Sequence, residues 1–394
     1  MLNELTKLTL YIIAAATFLN FVAFAVVSHR EGERRAARLA VICALGSSIT
    51  FLGLTFLPFF MRSLIFIVLG LLTVIGLILF FIPSKDVDLS SDTPKTRYDE
   101  RHIMFARARL KPGSPEYRAY YAMHPEYEAR DNSTRSKPGL LSMQASLANP
   151  FHFASAKGSF YFTEALRDFV DGEISKEAYS LPPDEMTPFI KNLALYYGAL
   201  DVGVTKLQPY HVYSHIGRGS GIYGAPLPIE HKYAIAFSVE MDFVMVGANP
   251  APVGIMESAR QYVKAACIAV QLAATIRHLG FPARAHIDGN YRVICPLVAR
   301  DAGLGEIGRM GILMTPKRGP RVRLGVVTTD LELIPDPPAR DAAMINFCTI
   351  CNKCAENCPV RAIPFGERQM IAGAMRWRIN AEACFRYWNA IGTD

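Results

Sequence analysis

The chain has 394 residues, 51% of them hydrophobic and 20% charged, with eight cysteines and a formal net charge of +7. That length has room for roughly two or three structural units. A charge this modest, with no basic stripe interleaved with aromatics, argues against nucleic acid as a partner.

Three apolar runs open the chain, at about 8–28, 39–61 and 64–82. Each reaches roughly the twenty residues that cross a bilayer, so residues 1–83 are expected to form an anchor of three transmembrane helices in a lipid bilayer. A secretory signal peptide has one such run and a cleavage site. The first linker carries Arg30, Arg34, Arg35 and Arg38, whereas the second holds only Arg62. Arginine excess marks the cytoplasmic side, which puts the N-terminus outside and the large C-terminal part in the cytoplasm of a cell whose inner membrane the chain spans more than once. Lys85, Lys95, Arg97 and Arg101 after the third run agree with that orientation. The pair Arg34-Arg35 comes after one spanning run and lacks the rest of a twin-arginine export signal.

Residues 84–150 are expected to be a tether and a wrapping arm. "PSKDVDLSSDTPKT" is polar and proline-bearing, and the stretch from Arg97 to Pro150 mixes tyrosines, charges and prolines without a period. From 151 to 340 the pattern is that of a folded core. "KYAIAFSVEMD" alternates as a half-buried strand, and "ESARQYVKAACIAVQLAATIRHLGF" predicts a helix with Val263, Ala266, Cys267, Val270 and Ala274 at helical spacing. Gly280 stops it. "ARAHIDGNYRVICP" predicts two strands about a turn at Asp288-Gly289, and "RVRLGVVTTDLEL" a further strand on which Arg321 and Arg323 share a solvated edge. Strands and helices mix without strict alternation, which gives an α+β core.

The chemistry is densest in residues 341–394. In "FCTICNKCAENCPVRAI", Cys348, Cys351, Cys354 and Cys358 stand at the C-x2-C-x2-C-x3-C-P spacing of a bacterial ferredoxin. Three thiolates two residues apart can wrap three corners of an iron–sulfur cubane while the fourth reaches a neighbouring cluster. A zinc site would use paired knuckles separated by a longer loop. In a cytosolic domain such cysteines signal metal and not disulfides. "GLGEIGRMG" sets Gly303, Gly305 and Gly308 in a G-x-G-x-x-G spacing, but a helical stretch precedes it, and Gly311 and Pro316 interrupt the residues after it. A dinucleotide fingerprint needs a strand before and a helix after. Close approach of the backbone to another flat ligand, or a plain loop, remains. By period alone Tyr262 is a packing residue of its helix and Asn290 a turn residue, and His211, His215, His231 and His286 are structural and not metal ligands.

Taken together, these stretches are more specific than apart. The run from "LGFPARAHIDGNYRV" through "AGLGEIGRMG" and "GPRVR" to the four cysteines resembles the corrinoid-dependent reductive dehalogenases. The similarity extends upstream through "HKYAIAFSVEMD" and loosely to "MFARARLKPGSPEYRAYYAMHPE", covering most of residues 100–394, with the spanning helices outside it. The resemblance implies a nitroreductase-like, cobalamin-binding α+β core, a ferredoxin-like iron–sulfur segment at the C-terminal end, and two [4Fe–4S] clusters that pass electrons to cobalt. It further implies a small organohalide as substrate and a membrane or ferredoxin electron donor. By position Tyr262 matches the family's proton-donating tyrosine, Asn290 its active-site asparagine and Arg323 its active-site basic residue, where the cation is expected to favour the phenolate. Gly303, Gly305, Gly308 and Arg321 fall in the family's most specific pieces and are the expected cofactor contacts. Cys384 resembles the first cysteine of the family's second motif. The four clustered thiolates plus Cys384 fall short of the eight that two cubanes require, so the chain is expected to be C-terminally truncated and to hold one stable cluster. Two competing readings are an epoxyqueuosine-reductase-like corrinoid enzyme, whose family uses an aspartate as acid and has no spanning helices, and a non-catalytic membrane ferredoxin relaying electrons.

Overall fold

The computed structural model describes residues 2–30, 33–81 and 87–394, in two units, Met1–Lys85 and Asp86–Asp394. In the first unit α1 (Leu2–Arg30), α2 (Arg34–Leu54) and α3 (Phe59–Phe81) are each long and apolar enough to cross a membrane. Ala14 and Ala25 of α1 and Ala40 and Ala44 of α2 are buried, small side chains of the kind that let two backbones approach closely. The second apolar run ends earlier than its composition suggests. Residues 59–61 belong to α3, because Pro58 has no amide hydrogen and breaks the helix before them. Arg62, expected in a linker, lies within α3, is buried, and donates to Asn3.

The second unit begins with three short helices, α4 (Met104–Arg109), α5 (Pro115–Met123) and α6 (Pro125–Arg135). The Ser114 hydroxyl accepts from the Tyr117 amide and Pro115 fills the first turn, which starts α5. Leu110, Tyr117, Tyr120 and Tyr121 form a core of their own, beside the buried Arg107–Asp131 ion pair at 2.7 Å. This segment therefore departs from the expected arm without a core. Its helices are too short for a period to emerge, and tyrosines carry the burial that aliphatic residues would have signalled.

Next come α7 (Pro150–Ala165), α8 (Pro183–Tyr196), β1 (Asp201–Lys206), β2 (Tyr233–Glu240), α9 (Phe243–Gly247) and α10 (Val253–His278). They are followed by β3 (Ala283–His286), α11 (Cys295–Asp301), β4 (Glu306–Ile307), β5 (Leu313–Met314) and β6 (Val322–Thr329). An antiparallel sheet in the order β1-β2-β6-β3 lies at the centre. Ile235, Phe237 and Val239 of β2 join the core formed with α8 and α10, while Ala234 and Ala236 join the one formed with α11. The strand is thus covered on both faces. It reads as half-buried only because its second face carries alanines. Gly325 on β6 pairs with Phe237 across the sheet, and a Cβ there would stand 2.2 Å from the phenyl ring.

On α10 the core face is Ala265, Ile268, Ala269, Leu272, Ala273 and Ile276. Of the expected set only Ala266 is fully buried, and Val263, Cys267, Val270 and Ala274 are half-buried on the flanks. Small residues face the sheet because the helix packs close to it. After β3 the turn at Asp288-Gly289 forms, with Gly289 at φ 72°. No second strand comes after it: Val293 makes one bridge to Val212, and Pro296 in the first turn of α11 starts a helix. Arg323 on β6 and Arg321 just before it are half-buried and ion-paired, not on a solvated edge. The chain closes with α12 (Ala342–Ile350), α13 (Lys353–Asn357), β7 (Gln369–Ile371), β8 (Ala374–Arg376) and α14 (Ala381–Ile391).

Candidate functional site

Tyr262 on α10 and Arg323 on β6 are brought together by the packing of that helix on the sheet. Arg323 Nη1 donates to the Tyr262 hydroxyl at 3.2 Å, and the guanidinium lies 4.6 Å from the ring centroid. Its Nη2 donates to Ser258 Oγ at 2.7 Å and to Asp394 Oδ2 at 3.3 Å. Ser258 stands four residues before Tyr262, one helical turn away on the same face. Because the phenol oxygen accepts from a cation, its own hydrogen is left to point elsewhere. It has no acceptor among the described residues.

The charge on Arg323 pulls the Tyr262 phenol downward, but burial together with Asp288 and Asp394 outweighs it, and the phenol ends above its ordinary value. The cation does favour the phenolate as expected, but its surroundings outweigh it. The site holds a protonated phenol at neutral pH, which is the form that can give a proton.

Asn290 is fully buried and shares no hydrogen bond with Tyr262 or Arg323 among the described residues. Its Oδ1 accepts from Arg284 Nη2 at 3.0 Å and from Ser220 Oγ at 3.3 Å, and its Nδ2 donates to the Arg167 carbonyl at 3.4 Å. It fixes the turn that also carries Asp288, one of the charges acting on Tyr262. Arg321 pairs with Glu240 at 2.8 Å, donates to the Met241 carbonyl, and stacks at 5.6 Å from the Phe243 ring.

The glycines divide. A Cβ on Gly303 would meet the Pro337 carbonyl at 2.8 Å, and one on Gly305 the Met314 carbonyl at 2.2 Å, so packing within the chain explains both. Gly308 is different. It borders a cavity of about 470 Å³, and a Cβ there would stand 3.1 Å from Met314 Cγ and 3.5 Å from Cys348 Sγ. The cavity joins the 303–311 loop, the start of α11, the stretch around Tyr98 and the stretch around Trp377. Three buried atoms of its lining residues lack partners: Glu306 Oε2, Arg300 Nη2 and Arg376 Nε. Burial raises the Glu306 carboxyl above its ordinary range. One acceptor and two donors left open around apolar walls suit a ligand that carries amide groups, which both donate and accept.

Cys348, Cys351, Cys354 and Cys358 are all free and half-buried on and around α12 and α13. Burial and then Cys348 raise the Cys354 thiol, whereas burial and then Cys358 raise that of Cys384 on α14. Cys384 therefore has Cys358 as its neighbour. Among the described residues no three histidine, cysteine or acidic side chains converge as a site for a single metal ion. A cubane spreads its thiolates over separate irons, more widely than the tetrahedron of a zinc site. Ser258, Asp394, Glu306 and Arg309 escaped the reading of the sequence. The i,i+4 spacing to Tyr262 could have found Ser258, but no local signal points to the others.

No family model matches the chain. The tetrachloroethene reductive dehalogenase of Desulfitobacterium hafniense is 32% identical over 207 residues, 47% of this chain and 37% of that protein. A solved catabolic reductive dehalogenase in complex with 3-bromo-4-hydroxybenzoic acid aligns with a TM-score of 0.60 and 26% identity, over 78% of this chain and 41% of that one. A reductive dehalogenase structure described as suggesting a mechanism for B12-dependent dehalogenation aligns at 0.59 and 26% identity, over 77% and 41%. The matched part thus spans less than half the length of each of these relatives.

Proposed function

We propose, from its similarity to the reductive dehalogenases, that the chain is a membrane-anchored enzyme that replaces halogen by hydrogen on a small organohalide, with cobalamin and [4Fe–4S] clusters as cofactors. The observation that carries this reading is the pairing of Tyr262 with Arg323, on the same fold as the dehalogenase of known structure. The reaction takes two electrons and one proton. A carbon–halogen bond breaks, halide leaves, and a carbon–hydrogen bond forms. A bound corrinoid supplies reducing cobalt for the first half, fed through iron–sulfur clusters.

The residues of this chain supply the rest. The Tyr262 hydroxyl, protonated and with its hydrogen uncommitted, gives the proton to carbon. Arg323 holds the phenol oxygen from behind, and the same hydrogen bond becomes charge-assisted once the proton has gone. Asn290 holds the turn behind them. Glu306, Arg300 and Arg376 would meet the amide side chains at the corrin rim, and Gly308 would line the same cavity. Cys348, Cys351 and Cys354 would hold one cluster, with Cys358 or its neighbour Cys384 as the fourth ligand. In this reading the α+β core is nitroreductase-like, residues 341–394 are ferredoxin-like, and the catalytic unit sits on the cytoplasmic side of the inner membrane, where a membrane or ferredoxin donor reaches it.

Anaerobic reconstitution with iron, sulfide and cobalamin tests the cofactor assignment. Stoichiometric corrinoid is expected to remain with the chain through gel filtration, alongside iron–sulfur absorption. Iron–sulfur absorption without retained corrinoid would leave only an electron relay. For the topology, a C-terminal alkaline phosphatase fusion should be inactive, and an active fusion would put the unit outside.

A further inference from the structure

Arg309 is 2% exposed, and its hydrogen bonds all run to neutral main-chain carbonyls. Its Nε and Nη2 donate to the Cys348 carbonyl at 3.0 and 2.6 Å, and Nη2 also to that of Thr349 at 3.3 Å. Its Nη1 donates to the Pro364 and Gly366 carbonyls, each at 2.9 Å. The guanidinium lies 4.8 Å from the Trp377 ring, whose Nε1 donates to the same Gly366 carbonyl at 2.9 Å. Among the described residues it forms no ion pair. Buried Arg107 and half-buried Arg218 each face a carboxylate, Asp131 and Glu100, whereas buried Arg277, like Arg309, donates only to main-chain carbonyls.

A charge taken out of water without an opposite charge is costly, even when its hydrogen bonds are met. The main chain that Arg309 grips includes that of a cysteine, whose thiol becomes a thiolate when it holds iron. This residue is Cys348, and the adjacent Gly308 abuts Cys348 Sγ. We propose that Arg309 is the counter-charge of the cysteine-held cluster and sets its redox poise, stabilising the reduced state. This rests on the reading that Cys348, Cys351 and Cys354 hold an iron–sulfur cluster. When one electron enters from the low-potential donor, the cluster with its thiolates gains one negative charge, with no bond broken and no proton moved. A buried cation beside the cluster would favour that state, because the surroundings screen it less than water would. Charge and hydrogen bonds around the sulfurs are among the levers that set such potentials.

The test compares the unmodified full-length chain with Arg309→Lys and Arg309→Met, all reconstituted with iron and sulfide. Redox titration followed by electron paramagnetic resonance reads the midpoint potential, and thermal melting of the apoprotein reads the clamp. Both variants should melt lower, because both lose the fork of hydrogen bonds. Only Arg309→Met should shift the midpoint clearly to more negative potential. Equal midpoints in Arg309→Met and the unmodified chain, at equal iron content, would overturn the proposal and leave Arg309 a structural clamp. If Arg309→Met fails to hold iron, Met344→Lys decides, since Met344 Sδ lies 3.6 Å from Cys348 Sγ. An added cation there should raise the midpoint, and an unmoved midpoint would overturn the proposal. An unmodified chain that assembles no cluster would instead remove the reading beneath it.

Discussion

Arg323 divides its donors among three side chains, those of Tyr262, Ser258 and Asp394, whereas Arg309 gives all of its donors to the main chain of Cys348, Thr349, Pro364 and Gly366. Contacts between side chains can be changed one residue at a time without moving the backbone. Contacts to carbonyls tie the residue to the path of the chain. The first arrangement should therefore report in rate and the second in stability. Substitutions on either side put that division to the test.

The largest effect is expected at Tyr262. Tyr262→Phe keeps the ring against Phe160, 6.1 Å away between centroids, and removes only the hydroxyl, so halide release should fall about 10²–10⁴-fold. Corrinoid content and melting temperature should stay as they were. An unchanged rate would remove Tyr262 from the chemistry, and a large loss of stability would remove the contrast with Arg309.

On the other side, Trp377 is 5% exposed and covers Arg309. Trp377→Ala should cost about 3–5 kcal/mol of stability, as deletion of a buried aromatic does, with early loss of iron on warming. A variant that melts like the unmodified chain would show that the cysteine segment is held by something else.

A smaller effect is expected from pH. His211 and His286 are buried, and each accepts a backbone amide at Nδ1, from Gln208 and Arg292. Burial lowers both below the ordinary value near 6.5. Folded-state values below the unfolded one mean that this stability is complete above about pH 6.5 and is lost as the pH falls. Both histidines should contribute to a loss of stability below that point, His286 over the wider range because its value lies well below, read by denaturation at pH 7, 6 and 5. Stability that is flat from pH 7 to 5 would contradict the neutral, accepting state of both rings.

The smallest effect is expected at Arg321, half-buried and paired with Glu240. Arg321→Ala should change stability by roughly 0–1 kcal/mol and leave corrinoid retention intact. Lost corrinoid would show Arg321 to be the cofactor contact expected from the resemblance.

What could be read in the sequence was local. The spanning helices, the four cysteines, α10 with its stop at Gly280, and β6 each carry their signal within some twenty residues or fewer. What could not be read depends on partners far along the chain. Arg323 meets Tyr262 across 61 residues and Arg309 meets Cys348 across 39, and no pattern within a window links either pair. The second strand expected after Asn290 failed because Pro296 favours a helix start, and the tyrosine-rich segment at 104–135 hid its core because its helices are too short to display a period. The resemblance to a family put Tyr262 and Arg323 in one site, which spacing alone could not do.

Halide release decides whether the chain is a dehalogenase. The full-length chain, loaded with corrinoid and iron–sulfur cluster and reduced by a low-potential donor, would be offered 3-bromo-4-hydroxybenzoic acid and tetrachloroethene under anaerobic conditions. Halide and the hydrogen-substituted product are expected in equal amounts with a substrate that fits, only when corrinoid and reductant are both present, and with solvent deuterium carried into the product. Halide release that continues undiminished without corrinoid would contradict a corrinoid-dependent dehalogenase.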